Sequence, residues 1–308
     1  MRIDDIDYKR FDKLDILAKQ VVEGFIIGLH KSPYHGFSVE FAEYRNYNPG
    51  DSVRSIDWKA YAKTKRMYIK KYEEETNLRC QMVIDVSSSM QFPKYLNSDK
   101  LNKLQFAAIS TAVLNYMLSK QRDAIGLSLV ADEIELHTPT KMNAMHHKMI
   151  NNYLYQLLTD KQPEHKQTHL PHCIHQIAEM LHKRSLVIIF SDFLSSTEEM
   201  GEFFKSIQHL KHQKHEVIVF HVHSKREEQE LVFENRPYQF VDLESGETVK
   251  LLPHQVKDFY RDKMNGYMGQ IRAKLSQYQV DWVEADIEEG FEKILQTYLV
   301  KRSKMKIG

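Results

Sequence analysis

The stretch QMVIDVSSSM, Gln81 to Met90, joins an apolar run to a carboxylate and three serines. Its run from Met82 to Ile84 has three counterparts along the chain: Ile125 to Ala131, Leu186 to Phe190 and Val217 to Val222. Continuous apolar runs are typical of strands that are buried on both faces of a parallel sheet. Segments with the apolar period of a helix separate the runs. The sequence therefore predicts an α/β fold with a doubly wound, mostly parallel sheet of Rossmann type.

The rest of the chain predicts an N-terminal region and an insertion in the core. We expect residues 1–78 to form an extension that packs on the core. Residues 79–308 are predicted to form the core, which is the α/β domain itself. A hairpin insertion is expected near residues 231–252, with its turn at Glu244-Ser245-Gly246-Glu247. The other predicted elements are a helix from Leu14 to Leu29, strands from Ser38 to Tyr44 and Arg66 to Tyr72, a helix from His254 to Gln277, a strand from Val280 to Ala285 and a closing helix.

The composition argues against several broad classes of function. The chain has 308 residues, of which 43 are Lys or Arg and 42 are Asp or Glu, so no charge excess favours nucleic acid or a membrane surface. The two cysteines, Cys80 and Cys173, form no zinc or disulfide pattern. The first residues, MRIDDIDYKRFDK, are charged where a signal peptide is apolar. No apolar run approaches the roughly 20 residues that cross a bilayer. We therefore expect a cytoplasmic protein without a membrane span.

Two carboxylates follow predicted strands at the same edge of the sheet. Asp85 ends the first buried strand, and Asp192, in IIFSDF, ends another. Ligands of open parallel sheets bind beyond the carboxyl ends of the strands. Asp85, Ser87 and Ser89 alternate along the chain, which can turn three side-chain oxygens to one side while the residues between them point away. Mg²⁺ prefers such an all-oxygen set, so the sequence predicts a site for a divalent cation.

Two other interpretations of the serines are weaker. A serine hydrolase would need a G-x-S-x-G turn around its nucleophile, and VSSSM lacks both glycines. The serines could instead cap a helix. However, the next predicted helix begins near Leu101, where Ser98 or Asp99 is better placed to cap it.

The D-x-S-x-S pattern of Asp85, Ser87 and Ser89 resembles the metal-ion-dependent adhesion site of von Willebrand factor A domains. The resemblance implies a von Willebrand factor A-like core that holds Mg²⁺, Mn²⁺ or Ca²⁺. It also implies that a threonine from a second loop and an aspartate from a third complete the site. Thr168, in KQTHL, and Asp192 match these positions. Thr168 departs from the family pattern because Gln167 precedes it where a glycine is frequent.

Histidine clusters are the competing candidates for a metal site. The chain has 16 histidines, and spacings of three and four residues relate two groups of them: His165, His169, His172 and His175, and His209, His212 and His215. This spacing can place imidazoles on one helical face for zinc. Because the HExxH pattern is absent and no cysteine accompanies the clusters, we expect solvated helix faces instead.

An ordered block near the N-terminus provides the most specific resemblance. Asn48-Pro49-Gly50-Asp51 predicts a turn, and the charges around Trp58 predict an ion-paired anchor. The block resembles the signature of the bacterial "domain of unknown function 58" family, and the similarity continues through KKYEEETNLR and DVSSSM to VDLESGE. The residues that carry it are Arg45, Tyr47, Pro49, Gly50, Asp51, Arg54, Ile56, Asp57, Trp58, Lys59 and Ala62. We expect them to bind a partner or to brace the core.

These observations favour a non-enzymatic adaptor that binds another protein through the cation. The family resemblance implies partnership with a MoxR-type AAA+ ATPase and a client protein in chaperone-like maturation or remodelling. A metal-dependent hydrolase at Asp85 and Asp192 is the alternative, although neither DVSSSM nor FSDF contains an evident general base. Basic and aromatic residues between positions 54 and 71 could also suggest nucleic acid. Three glutamates follow them directly, so a charged strand or a protein-binding face is favoured.

Overall fold

The computed structural model describes residues 14–31, 44–46, 61, 68–70, 78–94, 100–160, 163, 165–194 and 197–306. They fall into two compact units, one within residues 1–25 and 78–308 and the other within residues 26–77. The second unit contains a short antiparallel pair in which Arg45 lies opposite Ile69. The predicted division of the chain at residue 78, and the packing of the N-terminal region on the core, stay predictions.

The elements follow one another as helices between strands. The helices are α1 Leu14–Lys31, α2 Lys103–Lys120, α3 Ala144–Thr159, α4 Leu170–Met180, α5 Thr197–His212, α6 Pro253–Gln277 and α7 Glu292–Lys306. The strands are β1 Tyr44–Asn46, β2 Tyr68–Lys70, β3 Arg79–Asp85, β4 Ala124–Val130, β5 Ile134–His137, β6 Leu186–Ser191, β7 Glu216–His223, β8 Tyr238–Val241, β9 Thr248–Leu251 and β10 Asp281–Asp286. A 3₁₀ turn, Ser88–Gln91, and a π turn, Lys225–Gln229, follow β3 and β7.

The main sheet has the strand order β10-β7-β6-β3-β4-β5. Its pairs are parallel except for β5, which runs antiparallel to β4. The chain passes from β3 outward to β4 and β5, and then returns to the other side of β3 at β6. The gap between the ends of β3 and β6 is thus the switch point where open α/β sheets bind ligands. This topology confirms the predicted doubly wound, mostly parallel sheet.

Both faces of the sheet are covered, as continuous apolar strands require. Met82 and Ile84 of β3 pack in one core with α1, α2, α3 and α7. Val83 packs in the other core with α4, α5 and α6. Strands β8 and β9 pair where the sequence predicts a hairpin. Because the two cores hold β3 and β6 from both sides, the ends of these strands are fixed relative to each other.

The start of α2 differs from its prediction. Asn102, and not Ser98 or Asp99, is the N-cap residue: its side-chain oxygen accepts the N–H of Gln105 at 2.8 Å. The Gln105 side chain accepts the N–H of Asn102 in return at 3.1 Å, which completes a capping box. The helix therefore begins at Lys103, a charged residue that is fully buried.

Gly126 in β4 lies where no side chain fits, and its substitution tests the packing between strands. A Cβ atom there would lie 2.6 Å from the carbonyl oxygen of Thr138, which belongs to the backbone and cannot turn away. We expect Gly126→Ala to lower the free energy of unfolding by about 1–3 kcal/mol, the usual result of overpacking. The measurement is urea denaturation followed by circular dichroism.

The matched control is Gly201→Ala in α5, where nothing lies within 4 Å of the added carbon. It should stabilise the protein by about 0.5–1 kcal/mol, because alanine favours a helix interior over glycine. Equal effects of the two substitutions would contradict the close approach at Gly126.

Candidate cation site at the carboxyl edge of the sheet

Asp85, the last residue of β3, is fully buried. Its Oδ1 atom accepts the backbone N–H of Ser87 at 3.0 Å. Its Oδ2 atom accepts the hydroxyl of Ser191 at 2.8 Å and faces that of Thr168 at 3.5 Å. In the described part of the chain its contacts are thus with donors of hydrogen bonds, and no described cationic side chain pairs with it. Asp85 is a buried carboxylate surrounded by hydroxyl groups.

The three serines have different roles. The Oγ atoms of Ser87 and Ser89 lie 3.1 Å apart. Ser88 turns away from them: its hydroxyl accepts the N–H of Lys166 at 2.8 Å, and its own N–H donates to the Lys166 carbonyl at 2.9 Å. Ser87 precedes the 3₁₀ turn, but its side chain does not cap it. Ser87 and Ser89 are therefore available to the site, whereas Ser88 joins two loops, and the Ser87 side chain is not used as a helix cap.

Thr168 is positioned by the loop that precedes α4. The two hydrogen bonds between Ser88 and Lys166 join this loop to the loop that follows β3. On the other side of Thr168, the N–H of His169 donates to the carbonyl of Ala131 at 2.9 Å. Because the chain is anchored at Lys166 and at His169, the Thr168 hydroxyl is held next to Asp85.

Asp192 is engaged by a buried lysine. The Nζ atom of Lys103 lies 2.7 Å from Asp192 Oδ2 and also pairs with Glu228. Lys103 is 0% and Asp192 2% exposed. Burial alone would lower the pKa of the Lys103 ammonium, but the charges and hydrogen bonds of Asp192 and Glu228 outweigh it and raise the pKa. The Asp192 carboxylate therefore shares one ammonium with Glu228, an ion pair that its position at a strand end did not predict.

Burial and the neighbouring charge of Asp192 raise the pKa of the Asp85 carboxyl to about 6. Hydrogen bonds from Ser87 and Ser191 act in the opposite direction. The charged form of Asp85 is thus destabilised by the fold, and a cation beside it would remove this penalty. The oxygen atoms of Asp85, Ser87, Ser89 and Thr168 have the chemistry that Mg²⁺ prefers.

A third carboxylate reaches this neighbourhood from the hairpin turn. Burial raises the pKa of Glu244 to about 7, with further contributions from the charges of Asp192 and Asp85. A hydrogen bond with Ser89 opposes the rise. Glu244 lies far from the other site residues in sequence, so the topology of the hairpin alone brings it here.

The structure brings Asp85, Ser87, Ser89 and Thr168 together and adds three residues that sequence reasoning missed. Ser191 directly precedes Asp192, and pairing β3 with β6 could have placed it beside Asp85. Lys103 could have been noticed as a charged residue between Leu101 and Leu104 at the start of an apolar helix. Glu244 had no local signal. Cation binding by these residues stays a prediction.

The histidine clusters do not build a zinc site in the described residues. No group of three or more His, Cys, Asp or Glu side chains there could hold a metal ion. The Nδ1 atoms of His175 and His209 lie 3.1 Å apart, and His209 also pairs with Glu179. The prediction that these histidines lie on solvated helix faces is wrong for His215. This residue is fully buried, and its ring accepts the N–H of Ser185. The site at Asp85 is of another kind, because hydroxyls supply most of its oxygens.

The N-terminal signature lies largely outside the described residues. The backbone of Arg45 belongs to β1. The other named positions, and most of the basic stretch between residues 54 and 71, are not described. The undescribed signature positions are Tyr47, Pro49, Gly50, Asp51, Arg54, Ile56, Asp57, Trp58, Lys59 and Ala62. Their roles stay predictions.

Comparison with known proteins finds one matching family model and several relatives. The model described as "Protein of unknown function DUF58" matches residues 43–266. Relatives include uncharacterized proteins of Mycobacterium bovis and Mycobacterium tuberculosis, each 24% identical over 182 residues, which is 59% of this chain and 55% of the relative. The chain spans about half the length of the curated relatives it matches.

Solved structures that are similar to the chain include a conserved hypothetical protein and a pilus adhesin. BatB, a conserved hypothetical protein from Bacteroides thetaiotaomicron, has a TM-score of 0.48 and 15% identity, over 74% of this chain and 99% of that one. The pilus adhesin SpaC from Lactobacillus rhamnosus GG has a TM-score of 0.42 and 13% identity, over 75% of this chain and 31% of that one. The strand order of the main sheet defines the doubly wound fold. None of the described helices is both long and apolar enough to span a bilayer.

Removing the buried lysine tests the electrostatics of this edge. Lys103→Met would leave Asp192 and Glu228 as uncompensated buried charges, so we expect it to lower the free energy of unfolding by about 3–5 kcal/mol. Lys100→Met is the matched control, because Lys100 pairs with Glu288 at 3.4 Å on the surface, where a pair contributes about 0–1 kcal/mol. Chemical denaturation measures both. A loss at Lys103 no larger than that at Lys100 would contradict the buried pairing.

The burial of His215 predicts a dependence of stability on pH. Burial lowers the pKa of His215, so below the ordinary histidine value of about 6.5 the unfolded chain binds a proton that the folded chain does not. At higher pH His215 is neutral in both states and does not affect the free energy of unfolding. As the pH falls, its protonation in the unfolded chain destabilises the fold progressively. His215→Gln should reduce this slope by up to about 1.4 kcal/mol per pH unit, the value for one proton. The exposed His212→Gln is the control, and equal slopes for both variants would contradict this explanation.

Proposed function

Because the chain belongs to the DUF58 family, whose function is unknown, we propose a function from its own residues. The protein is a non-enzymatic adaptor that binds a partner protein through a divalent cation at Asp85, Ser87, Ser89 and Thr168. The observation that carries the proposal is the Asp85 carboxylate, which is fully buried, surrounded by hydroxyls and not paired with a described cationic side chain. Such a group is costly to bury unless a cation joins it.

The donor set fits Mg²⁺, with Mn²⁺ or Ca²⁺ as substitutes. Asp85 supplies the negative charge, while Ser87, Ser89 and Thr168 supply neutral oxygens. Lys103 already binds one oxygen of Asp192. Asp192 therefore contributes to the site through its negative charge, from the end of the next strand. When bound, the cation supplies a coordination position that a carboxylate of the partner can take. The likeness of Asp85, Ser87 and Ser89 to the adhesion site of von Willebrand factor A domains supports this role.

The partner follows from the family resemblance. We propose a MoxR-type AAA+ ATPase, with which the protein matures or remodels a client protein in the cytoplasm. The sequence contains no G-x-x-x-x-G-K-[ST] phosphate-binding loop, so ATP hydrolysis is assigned to the partner.

A metal-dependent hydrolase is the alternative, and one observation favours it. His221 and His223 line a small pocket of about 10 Å³ together with Asp192 and Glu228, so histidines are closer to the site than the sequence indicated. However, burial lowers the pKa of His223 and lowers that of His221 strongly. A general base needs a pKa near the working pH. The pocket is also smaller than the roughly 300–1,000 Å³ of most small-molecule sites. The adaptor role is therefore favoured.

Substitution of Asp85 tests the proposed cation site. In the wild type, Mg²⁺ should raise the melting temperature, because a ligand at 100 times its Kd stabilises the native state by about 2.7 kcal/mol. Asp85→Asn should abolish this response. Without Mg²⁺ the variant should be at least as stable as the wild type, since the amide removes a buried charge. Differential scanning calorimetry in Mg²⁺ and in EDTA measures both effects.

The matched control is Asp132→Asn, which removes an exposed carboxylate just after β4 and should keep the Mg²⁺ response. The same variants then test the adaptor role against the purified ATPase. Binding should require Mg²⁺ and fail in Asp85→Asn. Binding that is equal in EDTA, or equal in both variants, would overturn the cation-bridged adaptor. Hydrolysis of phosphoester or peptide substrates that is lost in Asp85→Asn alone would favour the hydrolase.

A further inference from the structure

The turn between β8 and β9 has one defined conformation. Asp242 Oδ1 accepts the backbone N–H groups of Glu244 at 2.8 Å and Ser245 at 2.9 Å. The carbonyl of Asp242 accepts the N–H of Gly246, and its N–H donates to the carbonyl of Glu247. Gly246 has a φ of +76°, which glycine adopts without strain. These hydrogen bonds therefore fix the position of the Glu244 backbone, from which its side chain extends.

The turn is seated against the loop that carries Thr168. A Cβ atom at Gly246 would lie 3.2 Å from Cε1 of His165, so the backbone of the turn packs closely against the His165 ring. The Ser89 side chain lowers the pKa of the Glu244 carboxyl, against the rise that burial causes, so the two side chains are neighbours. Glu244 Oε1 is buried and has no hydrogen-bond partner in the described part of the chain. A buried acceptor without a donor is costly, and it points to a missing ligand.

The oxygens of this region form a continuous series. The Ser87 and Ser89 hydroxyls lie 3.1 Å apart. The Ser87 side chain lowers the pKa of Asp85, and the Ser89 side chain lowers the pKa of Glu244. Asp85 and Glu244 stand at the two ends of the series, and the charge of Asp85 raises the pKa of Glu244. The buried ammonium of Lys103 is already shared by Asp192 and Glu228. The series thus carries more negative charge than its described neighbours neutralise.

We propose that Glu244 is a further ligand of the cation at Asp85, presented by the hairpin of this same chain. It takes the coordination position that the proposed function reserves for a partner's carboxylate, so the hairpin must withdraw before the partner binds. This inference rests on the proposed function, because it places Glu244 on the same cation.

The experiment measures Mn²⁺ binding by electron paramagnetic resonance of the free ion. The proteins are the wild type, Asp85→Asn, Glu244→Gln and Glu247→Gln. Glu247 belongs to the same turn and is exposed, so Glu247→Gln is matched to Glu244→Gln in charge and position. Glu244→Gln should weaken Mn²⁺ about tenfold or more, because affinity at oxygen sites follows the number of charged ligands. Glu247→Gln should bind as the wild type does.

The relaxation rate of water protons beside protein-bound Mn²⁺ provides a second readout. Loss of a direct ligand opens a coordination position to water, so Glu244→Gln should raise this rate above those of the wild type and Glu247→Gln. A weaker affinity with an unchanged rate would show that Glu244 acts only through its charge, which overturns the inference.

The outcomes separate the two proposals. If the wild type binds Mn²⁺ no better than Asp85→Asn, both the proposed function and this inference fail. If Asp85→Asn abolishes binding while Glu244→Gln and Glu247→Gln behave alike, the cation site stands and the hairpin ligand is wrong.

Discussion

The ion pairs of the buried Lys103 hold the carboxyl edge of the sheet together. Its ammonium joins three parts of the chain: the first turn of α2, the residue after β6 and the π turn after β7. Full burial strengthens these contacts, because water does not screen them. It also makes each partner depend on the others, since removing any one leaves a buried charge. The position of Asp192 beside Asp85 is therefore a consequence of Lys103 as much as of the strand that carries it.

Charge balance explains why the rest of the edge suits a cation. Lys103 pairs with Asp192 and Glu228, whereas no described cationic side chain pairs with Asp85 or Glu244. Hydrogen bonds stabilise a buried carboxylate only in part. The edge thus separates into a part that contains an ammonium and a negative part in which no described cationic side chain lies. The negative part is where Asp85, Ser87, Ser89 and Thr168 meet.

The strands and the first loop were predictable because their signals are local. Continuous apolar runs identify β3, β4, β6 and β7, and the alternation of Asp85, Ser87 and Ser89 anticipates the opposite direction of Ser88. The short edge strand β5 was missed, since its four residues form no separate apolar run. Lys103 and Glu244 were missed for another reason. Their roles depend on contacts with residues about 90 to 155 positions away, which no local pattern encodes. The cap of α2 was misplaced by a few residues, the usual uncertainty of helix ends.

The hairpin of β8 and β9 differs from the rest of the site in how it is held. Asp85 ends a central strand that both cores enclose, whereas no residue of β8 or β9 described in the structure belongs to either core. Segments with few buried apolar contacts open at low free energy, and central strands open only with the whole fold. The hairpin can therefore detach while the loops of Asp85 and Thr168 keep their arrangement. The two sides of the site therefore open on different timescales: the hairpin opens fast, and the strand ends open slowly. Opening of the hairpin exposes Asp85 and Thr168 without unfolding of the domain.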